Sequence, residues 1–141
     1  MESERSNQKI VALIVGCAFF MQNLDSTIVA TALPDIAATF GEQPVHLSIA
    51  IISYMLGQSV FMPVSGWAAD RFGANTAFRV AIIVFTVASV LCGLSETLWQ
   101  LTASRLLQGA GGAMMMPVGR LLLLRTVEKS EFVKASTYLA L

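Results

Sequence analysis

The sequence is poor in charged residues, which make up only 13 % of its 141 positions, against about 25 % in an ordinary soluble domain. Nine basic residues balance nine acidic ones. There is thus no basic surface for nucleic acid and no acidic excess typical of disorder. Hydrophobic residues make up 55 % and the mean hydropathy is +0.69. Because a soluble domain of this composition would expose large apolar patches, we expect an integral membrane protein.

Cysteine and histidine are also scarce. The two cysteines, Cys17 and Cys92, lie inside apolar runs, where cysteine is typical of a small hydrophobic residue rather than of a disulfide or a metal site. The only histidine, His46, lies between two apolar runs, where we expect it to be solvated. No metal-ligand cluster and no buried nucleophile with its base can be assembled from these residues. We therefore expect no enzyme activity, no metal and no cofactor.

Four apolar runs are long enough to cross a bilayer, which requires about 20 residues. They cover approximately residues 10–33, 45–69, 77–94 and 98–124. Pro34 is predicted to close the first run, and Pro44 to open the second at a position where its missing N–H costs nothing. A further apolar run begins near residue 132 and has only ten residues. The expected fold is all-α and membrane-embedded, with residues 1–141 forming four complete transmembrane helices and the start of a fifth.

The basic residues are unevenly distributed among the connecting segments. They occur before the first run, after the second and after the fourth, whereas segments 34–46 and 93–99 contain no Lys or Arg. The positive-inside rule therefore predicts a multi-pass protein of the inner (plasma) membrane with a cytoplasmic N-terminus.

A cleavable signal peptide is an alternative interpretation of the N-terminus. It would be removed after Ala30-Thr31-Ala32 and leave Leu33 as the first mature residue. The acidic Asp25 makes a poor approach to a cleavage site, and this favours a full span.

Two charged residues fall inside the predicted spans. Asp25 lies about 12 Å and Arg105 about 10 Å below the same outer interface, at 1.5 Å per residue. A charge in the hydrocarbon core costs on the order of 3 kcal/mol, so such a residue usually faces a partner or a cavity. Because the depths match and the signs are opposite, we expect either a direct pair or a shared aqueous cavity.

Helical periodicity places other polar or small residues beside these charges. Met21, Leu24 and Ile28 form an apolar arc on the first span, and the polar side chains point elsewhere. On the fourth span, Arg105 begins a stripe that has no bulky side chain at i+4 and i+7. The candidate cavity residues are Gln22, Ser26, Gln108, Gly109 and Gly112.

Purely structural interpretations of the same residues remain open. Asp25 could be a buried, hydrogen-bonded packing residue, and Arg105 could pair with a carboxylate only to fix helix register. The glycines of the fourth span could serve helix packing, and residues 114–116, all methionine, could fill gaps between helices or face lipid.

The segment Gly66-Trp67-Ala68-Ala69-Asp70-Arg71-Phe72-Gly73 resembles the signature loop of the major facilitator superfamily, Gly-x-x-x-Asp-Arg/Lys-x-Gly. The resemblance implies a conformational latch formed by Gly66, Asp70, Arg71 and Gly73. Locally, Gly66 would let a neighbouring helix approach, Gly73 would take a positive φ, and Asp70 would accept hydrogen bonds at a helix N-terminus. Ala74 and Asn75 depart from the basic residues that usually follow in the family.

Two further motifs narrow the resemblance to one family within this superfamily. Residues 24–34, LDSTIVATALP, are similar to the first-span motif of the fourteen-span drug:proton antiporters of this superfamily (EmrB/QacA type), with Ala30 in place of Asn. Residues 105–109, RLLQG, are similar to the fourth-span motif whose arginine is tied to proton coupling. Together with the matched depths, this resemblance makes Asp25 and Arg105 candidates for proton coupling. The resemblance implies the N-terminal part of a proton-driven efflux antiporter for hydrophobic or amphipathic compounds. Its expected partners are the lipid bilayer, a small-molecule substrate and further C-terminal spans.

Two other functions remain as alternatives. A complete four-span exporter acting as a dimer would need a weak charge bias between its two sides, and here the bias is strong. A non-transporting membrane scaffold would use its buried polar residues for assembly alone. Proton flux that depends on substrate would distinguish a transporter from a scaffold.

Overall fold

A computed structural model describes residues 2–126 and Thr137, and within these residues regular structure is entirely helical. The four helices are α1 (Glu2–Phe40), α2 (Pro44–Phe72), α3 (Ala74–Gly93) and α4 (Leu98–Thr126). Each predicted apolar run lies essentially within one helix, and the all-α prediction is confirmed. The predicted start of a fifth span, from residue 132, lies outside the described residues.

Helices α1, α2 and α3 are long and apolar enough to cross a membrane. The predicted fourth span is helical and has 29 residues, but α4 is not among the three that meet both criteria. The position of α4 explains why it can be less apolar than the other helices. It packs against α2 and α3 and also contacts α1. Six consecutive residues, 108–113, are buried. A helix enclosed by other helices meets little lipid and can carry glycine, glutamine and arginine.

The end of α1 differs from the prediction. Pro34 does not close the helix, which continues to Phe40. Gly41 ends it instead, with φ +67°, while the Glu42 N–H donates to the Ala37 carbonyl at 2.9 Å and the Gly41 N–H donates to the Ala38 carbonyl at 3.3 Å. These two bonds form a Schellman motif, which satisfies terminal carbonyls by means of a left-handed glycine. A proline removes one hydrogen bond, a loss that spanning helices tolerate.

The other helix boundaries follow local sequence signals. Pro44 occupies the first turn of α2, as predicted. Gly73 alone joins α2 to α3, with φ +87° and its N–H donating to the Ala69 carbonyl at 3.0 Å. The predicted positive φ of Gly73 is therefore confirmed.

Glycines set how closely the helices approach α4. A Cβ atom added to Gly57 of α2 would overlap the Leu106 carbonyl oxygen, and one added to Gly109 of α4 would overlap the Tyr54 carbonyl oxygen. A Cβ on Gly111 would come within 2.8 Å of the Phe85 nitrogen of α3. Helices α2 and α3 thus pack on α4 with their backbones almost in contact.

Candidate functional site

The site is built around an ion pair between α1 and α4. The Arg105 Nη1 atom donates to the Asp25 Oδ2 atom at 2.6 Å, and the two side chains are only 4 % and 15 % exposed. Their matched depth in antiparallel helices is what brings them together. Breaking such a buried pair by removing one partner typically costs about 3–5 kcal/mol, because the other charge stays buried without compensation.

The other contacts between α1 and α4 fix the same antiparallel register. Gln22, one turn before Asp25, donates from its Nε2 atom to the Gly112 carbonyl at 3.4 Å. Further along, Phe19 and Val15 lie against Gly119, where an added Cβ would be 3.1 Å from each side chain. The face of α1 carrying Met21, Leu24 and Ile28 is exposed, in agreement with the predicted apolar arc.

Tyr54 of α2 connects the ion pair to a group of amides. Its ring centroid lies 5.8 Å from the Arg105 Cζ atom, within the range of a cation–π contact. Its hydroxyl oxygen accepts hydrogen bonds from Gln58 Nε2 at 3.2 Å and from Gln22 Nε2 at 3.4 Å. Charge, aromatic ring and amides therefore form one contiguous surface across three helices.

This surface is the wall of a cavity of about 400 Å³ between α1, α2 and α4. The wall combines amides, hydroxyls and one guanidinium with aliphatic and thioether side chains. The lining residues are Gln22, Asn23, Ser26, Val29, Ala30, Ile51, Tyr54, Met55, Gln58, Arg105 and Met116. A cavity of this size and mixed character suits a small amphipathic molecule.

Two of the five predicted cavity residues, Gln22 and Ser26, line the cavity. The other three, Gln108, Gly109 and Gly112, do not. Gly109 is the site of the close α2 crossing, and Gly112 is covered by Gln22 and Tyr54. Gln108 is fully buried, and its Oε1 atom accepts a bond from the Cys92 thiol of α3 at 3.4 Å.

Comparison with known proteins identifies the family. The sequence profile of the Major Facilitator Superfamily matches residues 15–141. The chain belongs to the major facilitator superfamily. Over 128 residues, it is 49 % identical to a Salmonella typhi protein and 51 % identical to a Pectobacterium carotovorum protein, both called "Putative multidrug resistance protein MdtD". Each match covers 91 % of this chain but only 27 % and 28 % of the relative, so the chain spans about a quarter of their length.

Membership in the superfamily, together with the apolar helices, makes this a multi-pass membrane protein from a family of transporters rather than enzymes. Within the part of the chain that the structure describes, no three His, Cys, Asp or Glu side chains are grouped so that they could hold a metal ion. Both cysteines are free thiols. His46 is exposed and lies 2.8 Å from Glu42 in the turn between α1 and α2.

The signature loop of the superfamily lies at the α2–α3 junction. Asp70, Arg71 and Gly73 are exposed, and across residues 2–126 neither charged side chain forms a hydrogen bond or ion pair. The predicted close approach at Gly66 is wrong for this part of the chain, because no atom lies within 4 Å of an added Cβ. Ala74, which stands where the family usually has a basic residue, is 5 % exposed and packs in the core. A latch role for these residues stays a prediction.

Sequence reasoning missed the polar wall residues of α2, which are Tyr54 and Gln58. They stand four positions apart in the apolar second run, and residues spaced in this way share one face of a helix. Two polar side chains on one face of a membrane span were the signal that could have identified them. Met116, for which the sequence favours gap filling between helices or contact with lipid, lines the cavity instead.

Proposed function

We propose that this chain is the N-terminal part of a proton-coupled antiporter that exports small hydrophobic or amphipathic compounds across the inner membrane. The observation that carries the proposal is the Asp25–Arg105 ion pair, because Arg105 lines a cavity sized for a small molecule and the Asp25 carboxylate is bonded directly to it. The multidrug resistance label of the MdtD relatives supports export of varied compounds.

In the proposed cycle, the Asp25 carboxylate and the Arg105 guanidinium hold α1 and α4 together while Asp25 is ionised. Protonation removes the negative charge and with it most of the attraction across the pair. The favoured arrangement of the two helices changes as a result, because a proton bound in one state shifts the population toward that state. Inward movement of protons is thereby linked to outward movement of the substrate.

The cavity wall described here is one side of the proposed substrate site. In transporters that work by alternating access, the substrate lies near the membrane midplane between two rocking halves. We therefore propose that further spans complete the site. No cofactor takes part, and the proton gradient supplies the energy. The cytoplasmic position of the N-terminus and the latch at Gly66, Asp70, Arg71 and Gly73 belong to the same proposal.

The decisive experiment replaces Asp25 in the intact protein and measures efflux driven by a pH gradient in proteoliposomes. The transported probe is the best compound from a screen of amphipathic dyes. Asp25→Asn keeps the size of the side chain and removes its titration, so we expect efflux to lose its dependence on the gradient. Asp35→Asn is the matched control, because Asp35 is an exposed carboxylate on the same helix. Unchanged gradient-driven efflux in Asp25→Asn, with normal expression, would contradict the proposal.

A further inference from the structure

Three buried side-chain atoms among the described residues lack a hydrogen-bond partner. They are Gln22 Oε1, Arg105 Nε and Gln108 Nε2. Buried polar groups are nearly always paired, so each exception calls for a physical explanation. One of the three is an acceptor and two are donors, and two of the three belong to residues of the cavity wall.

The orientation of the Gln22 amide follows from its contacts. The Gly112 carbonyl can only accept, so the atom that faces it must be the Nε2 donor. The Oε1 atom is consequently left as a free acceptor on a side chain that is only 6 % exposed. Gln22 also lies three positions before Asp25, on the same face of α1.

We propose that Gln22 Oε1 is the second acceptor for the Arg105 guanidinium, taking it over when Asp25 becomes protonated. The inference rests on the proposed coupling role of Asp25 and names the residue that stabilises the protonated state. Arg105 would exchange its bond to the carboxylate for a bond to the amide oxygen, and its charge would stay paired with a polar group throughout.

Tyr54 provides the surface along which this exchange occurs. Its ring faces the guanidinium and its hydroxyl bonds to Gln22, so a single side chain contacts both the present and the proposed position of the arginine. A planar guanidinium can slide over an aromatic face while keeping the cation–π attraction.

Few other ionisable groups surround the pair. Arg105 bonds to Asp25 from α4, the Tyr54 ring of α2 lies 5.8 Å from the guanidinium, and the Cys92 thiol of α3 bonds to Gln108, one turn after Arg105. Within the described residues, the guanidinium is the only one of these groups that bonds to the Asp25 carboxylate. Among these neighbours, the position of Arg105 is thus the main electrostatic influence on whether Asp25 takes up a proton.

The proposed acceptor changes the proton affinity of Asp25 in a definite direction. An acceptor that holds Arg105 only when Asp25 is protonated stabilises the protonated state and therefore raises that affinity. Removing that acceptor lowers the pH at which Asp25 is half protonated. Loss of a hydrogen bond to a charged group corresponds to about one pH unit, or about tenfold in proton affinity.

The test is a pH titration of the intact protein in lipid, followed by infrared difference spectroscopy of the carboxylic acid C=O stretch. The Asp25 band is identified by its absence in Asp25→Asn, so no substrate is needed. We expect Gln22→Met, which keeps the chain length and removes the amide, to move the midpoint of this band about one pH unit lower. Gln22→Asn, whose amide is one methylene shorter, should shift it in the same direction if the methionine variant does not fold.

Gln58→Met is the matched control. It removes the other amide that donates to the Tyr54 hydroxyl but leaves the buried acceptor on α1 in place, so its midpoint should equal that of the wild type. A Gln22→Met midpoint equal to that of the wild type, or equal shifts in both variants, would overturn the inference while leaving the coupling role of Asp25 intact. Absence of any band that depends on Asp25 would contradict the coupling role itself, and this inference with it.

Discussion

At the scale of single residues, the central feature is a carboxylate and a guanidinium that compensate each other inside a membrane protein. Arg105 contributes more than charge, because its Nη1 atom bonds to Asp25 while its Cζ atom lies over the Tyr54 ring. A lysine ammonium is a point charge without that planar geometry. The pair therefore depends on the identity of the cation and not only on its sign.

This difference gives a prediction for Arg105→Lys. The charge and the fold should be kept, but the rate of gradient-driven efflux should fall about tenfold, as expected for the loss of about 1–2 kcal/mol of buried guanidinium contact with the Tyr54 ring. The measurement is the initial efflux rate in proteoliposomes at matched protein density. Arg120→Lys serves as the control because Arg120 is exposed on the same helix. Equal rates for Arg105→Lys and the wild type would show that guanidinium geometry is irrelevant.

At the scale of helices, glycines decide how α4 packs against its neighbours. A methyl group on Gly109 would meet the backbone of α2, which cannot move aside as a flexible side chain can. A methyl group on Gly66 would meet no atom of the described chain. Two glycines that look alike in the sequence therefore have different structural importance.

We expect Gly109→Ala to destabilise the protein by about 1–3 kcal/mol, the usual cost of overpacking a tight contact. Gly66→Ala should leave stability unchanged or slightly higher, since alanine favours a helix over glycine. Thermal unfolding of the two variants in the same detergent compares them directly. A larger loss in Gly66→Ala than in Gly109→Ala would be inconsistent with the described helix contacts.

The helices also show what the sequence could predict. The apolar runs and the depths of Asp25 and Arg105 follow from composition and the rise per residue, which are local properties. The end of α1 could not be located in this way, because Pro34 and Gly41 are both stop signals and only the structure shows that the Schellman bonds form at Gly41. The roles of Gly109 and Gly112 also depend on which helix faces each residue, and periodicity along α4 alone does not contain that information.

At the scale of the whole molecule, the main prediction is the direction in which the chain crosses the membrane. Charge asymmetry predicts that Glu2 lies in the cytoplasm and that the α1–α2 turn lies outside. Glu2 and the α1–α2 turn are both exposed, so each can be labelled without disturbing the core. Orientation also determines the side from which a proton reaches Asp25.

Single-cysteine variants test this topology. In a background without Cys17 and Cys92, we expect His46→Cys to react with a membrane-impermeant thiol reagent in intact cells. Ser3→Cys should react only after the membrane is permeabilised. The reverse pattern would invert the predicted orientation and the direction of the proposed proton movement.

If Asp25 couples proton movement to transport, it should give up a proton when a substrate binds at the cavity. This proton can be measured as it is released into a weakly buffered solution. The intact protein is titrated with a transported compound at a pH where Asp25 is partly protonated, and a pH-sensitive dye reports the release. We expect proton release from the wild type and from Asp35→Asn, and none from Asp25→Asn. Equal release from the wild type and Asp25→Asn, with unchanged binding, would show that another group exchanges the proton.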